Sequence, residues 1–154
     1  MKSYETFSVF VFQIAVALSK EMGATEVFDG APDKHGEWIQ ERVGGVQGAV
    51  VTVPIVAAFE QAFKSVKRGG RVVAVALPNG KMAVPIVDCV LGGIELVGSI
   101  VGTRKDLQEA LEIAKVHKIE CKVQKRRIED INEIFDDMIN YRISGRVVLD
   151  YTAQ

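Results

Sequence analysis

Two cysteines and two histidines are all that this 154-residue sequence holds, and both scarcities exclude chemistry. Cys89 and Cys121 stand far apart, which rules out a disulfide framework and any closely spaced cysteine zinc site. They read as free thiols in a reducing compartment. His35 and His117 have no second ligand at helical or turn spacing, so no catalytic metal is expected in this chain. An excess of charge of one sign is lacking too. With 19 basic and 20 acidic residues the formal net charge is -1, which gives no electrostatic pull toward nucleic acid or an anionic membrane. The densest basic run, Lys122 to Arg127, is interrupted by Val123 and Gln124 and reads as a solvated edge. No apolar run approaches the ~18 residues of a membrane span, and the best candidate, Val90 to Val101, contains Glu95. The apolar stretch from Phe7 to Leu18 loosely resembles a cleaved leader, but Glu5, Gln13 and the helical spacing of Ile14, Ala17, Leu18 and Met22 favour a packed helix. A cytoplasmic protein is expected.

What is present is ordinary for a folded chain: 48% hydrophobic and 25% charged residues, at a length that can bury a sizeable core. Short apolar, β-branched runs occur at residues 8–12, 25–28, 49–53, 71–77 and 94–101. Val72 to Ala76 is continuously apolar, as a parallel strand covered on both faces would be. Helical periods lie between these runs. Phe59, Ala62, Phe63 and Val66 fall at i, i+3, i+4 and i+7, with Pro54 suited to the first turn and Gly69-Gly70 to the exit. Leu107, Ala110, Leu111 and Ala114 repeat the pattern behind Thr103 and Asp106 at capping-box spacing. The alternation predicts an α/β fold with a parallel sheet and right-handed crossovers. Residues 78–93 read as a loop and a short helix. At the end of the chain, residues 119–123 read as a strand. Ile128, Ile131, Ile134, Phe135, Met138 and Ile139 form one helix face, Ser144-Gly145 a stop, and residues 146–151 a last strand.

Five stretches, in this order and spacing, are similar to the zinc-dependent, medium-chain alcohol dehydrogenases, especially the bacterial NAD-linked members. They are MGATEVFD (from Met22), ERVGGVQGAVVT (from Glu41), KRGGRVVAVALP (from Lys67), VPIVDCVLGGIELVGSIVGTRKDLQEALEIA (from Val84) and ISGRVVLDY (from Ile143). The most specific piece is GSIVGTRKDLQEAL, and the likeness spans residues 14–151. It implies a truncated Rossmann-type parallel sheet flanked by helices over residues 1–118. A C-terminal helix-strand tail, residues 119–154, would return to a catalytic domain in that family. NAD would lie along the carboxyl ends of the strands. By this resemblance Thr52 and Val53 face the cofactor, Ala76, Leu77, Pro78, Ser99, Ile100 and Val101 border the nicotinamide through backbone groups, and Arg146 reaches toward the pyrophosphate with a donor fork suited to phosphate. The resemblance also implies a homodimer or higher homo-oligomer through the segment from Val84 to Val101. A separate chain carrying the catalytic domain is a second candidate partner.

Two parts of that family's machinery have no counterpart here. Its zinc ligands sit on an N-terminal domain that this sequence does not contain, so no zinc is expected in this chain. A G-x-G-x-x-G between a strand and a helix is missing as well. Gly44-Gly45 and Gly48 lie between a helix and a strand, the wrong order, so NAD affinity is expected to be weak. Aligned without gaps, residues 8–12 fall near the second Rossmann strand, and the acidic residue for the adenosine ribose is replaced around Phe10. A second register makes them the first strand and Asp29 that acid. In the order 3-2-1-4-5-6 the lost first strand is central, and either the N-terminal strand or a second chain must fill its place. Three functions compete: a cofactor-domain fragment of an NAD-dependent alcohol dehydrogenase, inactive alone; a non-catalytic interaction or nucleotide-sensing module; and a zinc-free reductase of the same superfamily, against which Gly98 to Arg104 argues. The alcohol, and the choice between NAD and NADP, stay open.

Overall fold

The apolar run at residues 72–76 lies at the middle of a three-stranded parallel sheet. The structure, a computed structural model, describes residues 7–9 and 13–152, with side chains described from residue 16. In chain order the elements are β1 (Phe7–Val9), α1 (Gln13–Glu21), β2 (Glu26–Phe28), α2 (His35–Val43), β3 (Val46–Val51), α3 (Val56–Ser65), β4 (Val66–Ala74), α4 (Ile86–Gly92), β5 (Glu95–Gly98), α5 (Arg104–His117), β6 (Val123–Arg127), α6 (Ile131–Ile139) and β7 (Arg146–Asp150). They fall into two compact units. One holds Phe28–Val101, the other Gly102–Gln154 with most of the segment before Phe28.

In the first unit β3, β4 and β5 pair in parallel, in that order. Val72 of the central strand is 0% exposed, sealed with Val51 and Val66 under Phe59, Ala62 and Phe63 of α3. The i, i+3, i+4 spacing of those three α3 residues is what turns one helix face onto the sheet. Burying each phenylalanine stabilises by about 1.5–3 kcal/mol. The fourth residue of that pattern, Val66, already belongs to β4, because α3 ends at Ser65 and the strand follows without a loop.

Gly69-Gly70 therefore does not form the helix exit. The pair lies inside β4, where the register jumps from Val46–Val66 to Gly48–Arg71. Gly69 has φ +69°, and a Cβ on Gly70 would come within 2.7 Å of the Lys67 carbonyl oxygen, so this bulge needs glycine twice. Pro54 also sits earlier than expected, one residue before the N-cap Ile55. The strand expected at residues 8–12 is seen as β1, with 10–12, and so Phe10, outside the described residues. β1 pairs with β2, so it does not fill the place beside β3.

Helix α2 packs on α3 through a close approach at Gly36, where a Cβ would stand 2.6 Å from the Lys64 Cβ. The buried Gly36 N–H donates to Gln61 Oε1 at 2.9 Å, and Gln40 Nε2 donates to the carbonyls of Lys64 and Val66 at 2.9 and 3.0 Å. His35 begins this helix against the Phe28 ring, 5.8 Å between centroids, and its buried Nε2 has no hydrogen-bond partner. Burial pushes its pKa down to about 4.

In the second unit β6 and β7 form a parallel pair. The strand expected at residues 119–123 begins only at Val123, because Lys118 closes α5 in the left-handed region and the chain needs four more residues to reach the pairing register. The basic run read as a solvated edge is thus strand β6 itself. Its Arg126 is half-buried and lies among Asp130 (3.8 Å), Glu133 (2.9 Å) and Asp137 (3.5 Å). The i, i+3, i+7 spacing of these carboxylates lines one side of the α6 segment. Ile134 of α6 is buried and Ile128 and Ile131 are half-buried, while Phe135, Met138 and Ile139 stay exposed. Gly145 is not the stop of α6, which ends at Ile139; a Cβ there would overlap the Lys122 carbonyl oxygen beside β6. Thr103 and Asp106 do form the expected capping box on α5. The apolar face behind it is not packed, however: Leu107, Ala110 and Leu111 are exposed and only Ala114 is half-buried. Among the described residues no helix is long and apolar enough to cross a membrane.

The α2–α3 contact yields two stability predictions. Gln61→Leu strands the Gly36 N–H in a dry place and should cost about 1–3 kcal/mol in urea denaturation, with no loss from Gln108→Leu on the exposed α5. The second concerns pH. His35 stays neutral in the fold below the usual value of 6.5, while the unfolded chain takes up a proton there. Its contribution is therefore complete above pH 6.5 and is lost as pH falls toward 4. A fall from pH 7 to 5 should remove about 1–2 kcal/mol through this residue, after discounting for partial solvent access. Denaturation midpoints of wild type and His35→Leu at both pH values check it, the variant showing the smaller loss.

Candidate functional site

Strands β3, β4 and β5 run in parallel, so their carboxyl ends Val51, Ala74 and Gly98 share one end of the sheet. Each ends short of its sequence-based limit, at 51, 74 and 98 rather than 53, 77 and 101. Just past these ends lie the residues expected there from sequence: Thr52 and Val53, then Ala76, Leu77 and Pro78, then Ser99, Ile100 and Val101. The structure brings these eight together as loops leaving one sheet end of the Phe28–Val101 unit. In open α/β sheets that end is where ligands sit.

The start of each later loop is held by the sheet. Val75 and Ala76 N–H both donate to the Val51 carbonyl (3.1 and 3.0 Å), and Ser99 N–H donates to the Ala74 carbonyl at 2.9 Å. Beyond those anchors Leu77 is 92% and Ile100 90% exposed. None of the eight side chains is ionisable. Such an edge can offer peptide groups and apolar surface to a flat, neutral ring, and it has no acid or base with which to move a proton.

Sequence reasoning missed what fixes the longest of these loops. Gly80 packs where a Cβ would come 2.9 Å from Val56 Cγ2, and Met82 and Val84 lie against the core under α3. The Asn79-Gly80 pair was the available signal, since it marks a tight turn. Arg146 belongs to the other unit. It opens β7, is exposed, and its N–H donates to the Lys122 carbonyl at 2.8 Å.

The glycines near β3 have packing roles. Gly44 caps α2 in the left-handed region, and a Cβ on Gly45 would lie 2.8 Å from the Lys67 backbone nitrogen. Neither opens a helix N-terminus toward the strand ends, so they do not make a phosphate cradle. Among the described residues there is no group of three or more His, Cys, Asp or Glu that could hold a metal ion.

Comparison with known proteins gives the wider frame. Residues 9–115 match the family described as zinc-binding dehydrogenase. An alcohol dehydrogenase of Geobacillus stearothermophilus is 49% identical over 132 residues, which cover 86% of this chain and 39% of that enzyme. One from Moraxella sp. (strain TAE123) is 42% identical over 137 residues, covering 89% and 40%. Among solved structures, the alcohol dehydrogenase of the archaeon Aeropyrum pernix superposes with a TM-score of 0.83 at 24% identity, over 93% of this chain and 42% of that one. The acetophenone reductase of Geotrichum candidum, solved in complex with NAD, gives 0.77 at 22% identity, over 96% and 42%. These folds support a Rossmann-type α/β arrangement, and the chain spans about two fifths of the curated relatives it matches. By the match over residues 9–115, the chain belongs to the zinc-binding dehydrogenase family.

Proposed function

We propose that this chain is the cofactor-facing part of an NAD-dependent alcohol dehydrogenase, with no catalytic activity of its own. The observation that carries the reading is the alignment of Thr52, Val53, Ala76, Leu77, Pro78, Ser99, Ile100 and Val101 past the carboxyl ends of three parallel strands. Their peptide groups and apolar surface suit the nicotinamide side of the cofactor; in the other unit, Arg146 is by resemblance the candidate for a phosphate oxygen. NAD, when bound, supplies the hydride acceptor. The chain supplies position and an exposed apolar border. Without a glycine-rich helix start to receive the pyrophosphate, affinity is low. Free thiols at Cys89 and Cys121 fit a cytoplasmic setting.

We further propose a homodimer through the segment from Val84 to Val101. Among the described residues strand β5 has one partner, β4, and α4 with β5 presents Ile86, Val87, Val90, Leu91, Leu96 and Val97 to solvent. An unpaired strand beside an apolar helix favours edge-to-edge pairing about a twofold axis.

Two measurements test these readings. Titration with millimolar NADH should shift the backbone amide resonances of Leu77, Ile100 and Val101 in NMR spectra, while calorimetry at micromolar NAD gives no resolvable heat. Micromolar affinity, or shifts confined elsewhere, refutes the site. Arg146→Ala should weaken whatever binding is seen by about 1–3 kcal/mol. Sedimentation at micromolar concentration should give at least twice the 16.9 kDa chain mass, falling to one chain in Val97→Asp. A wild-type monomer refutes the dimer.

A further inference from the structure

One buried side-chain nitrogen among the described residues, His35 Nε2, has no hydrogen-bond partner, and the nucleotide edge gives it no task. The imidazole is 9% exposed and lies against the Phe28 ring, which itself sits 5.2 Å from the ring of Trp38. The next residue closes the contact with α3. Gly36 N–H donates to Gln61 Oε1, and a Cβ on Gly36 would stand 2.6 Å from the Lys64 Cβ. A second proton on His35 would make both ring nitrogens donors, and Nε2 would then carry an N–H with nothing to accept it. His35 also stands in the first turn of α2, where the helix dipole opposes a positive charge. The imidazolium gains its water when the start of α2 leaves α3.

No neighbouring charge offsets this. The ionisable side chains on the segments packed about His35 are Asp29, Asp33 and Lys34 before it, Glu37 on α2, and Glu60 and Lys64 on α3. Lys34 and Glu37 pair with each other at 3.0 Å, and burial is the one cause that moves His35 from its ordinary value. β4 meets the far end of α2, at Gln40 and just past it at Gly45.

The segment is also separable from the sheet. The sealed core of Val51, Phe59, Ala62, Phe63, Val66 and Val72 takes nothing from residues 28–45, and the β3–β4 ladder begins at Val46. Between them stand Gly44 and Gly45, both left-handed at φ +69° and +90°, a pair suited to a pivot.

We propose that His35 is an acid-sensitive latch: protonation of its imidazole frees residues 29–43 from α3, turning on Gly44-Gly45, and uncovers Phe28, Trp38 and the fully buried Ile39 while the three-stranded sheet stays formed. The latch is shut above pH 6.5 and opens increasingly as pH falls toward 4, because the closed state holds the proton less well than the open one. The opening is local, and it needs no nucleotide.

Hydrogen exchange of backbone amides in the full chain, followed by NMR and corrected for the intrinsic effect of pH, tests it. Gly36 and Ile39 should be protected roughly a hundredfold less than Val72 of the central strand at pH 7 and at pH 5, since they exchange through an opening that leaves the sheet intact. From pH 7 to pH 5 their protection should fall about tenfold. His35→Leu should remove that fall, and His35→Gln serves the same purpose if the leucine variant does not fold. The gap between Gly36 and Val72 is read on the wild type and needs neither variant. Equal protection at Gly36 and Val72 would mean that α2 leaves only when the sheet unfolds, and overturns the latch. So does protection at Gly36 that is flat with pH, or a fall that both variants keep.

Discussion

Parallel strands stay in register only where something dry lies across them, and in this chain that is the Phe59–Phe63 face of α3 on Val72. The three strands owe their common end to that contact. A shift of one residue in β4 would turn Val72 toward water and Val73 toward α3, and would move the loops after Ala74 and Gly98 away from each other. The glycine bulge serves the same constraint. α3 passes straight into β4, so the chain must fit four residues between Val66 and Arg71 against one between Val46 and Gly48 on β3, and only a left-handed residue next to one without a side chain can do that.

Around this packed face the structure is unevenly finished. The α2–α3 contact is tight, with a buried Gly36–Gln61 hydrogen bond and no room for a methyl group. On the other side of the sheet Val50 is exposed, and α5 carries Leu107 and Leu111 to solvent.

Most of the first unit was legible in the sequence, because residues with one environment announce it. Continuous apolar residues at 72–76 mark a strand, although only its Val72 face is packed, and the spacing of Phe59, Ala62 and Phe63 marks one helix face. The Thr103–Asp106 box was legible for the same local reason. Where two environments compete, the sequence misleads. Lys122, Lys125 and Arg127 are exposed, as a solvated edge implies, and only Arg126 departs from it, half-buried against the acidic face that Asp130, Glu133 and Asp137 make at helical intervals. Gly69-Gly70 and Gly145 look like helix stops, since a glycine needed for backbone proximity is indistinguishable from one needed for a turn. The candidate site was legible as an end of strands and little more. Its groups are peptide groups, which every residue carries, so residue identity says little about them.

The arrangement of the sheet also bears on how the chain acquires its shape. Each pairing joins strands about two dozen residues apart, with a single helix between, as a parallel crossover requires. β3, α3 and β4 emerge from the ribosome consecutively and can collapse on Val72 before α5 has been made. A nucleus confined to residues 46–74 holds every buried residue that seals Val72 and needs nothing from the second unit.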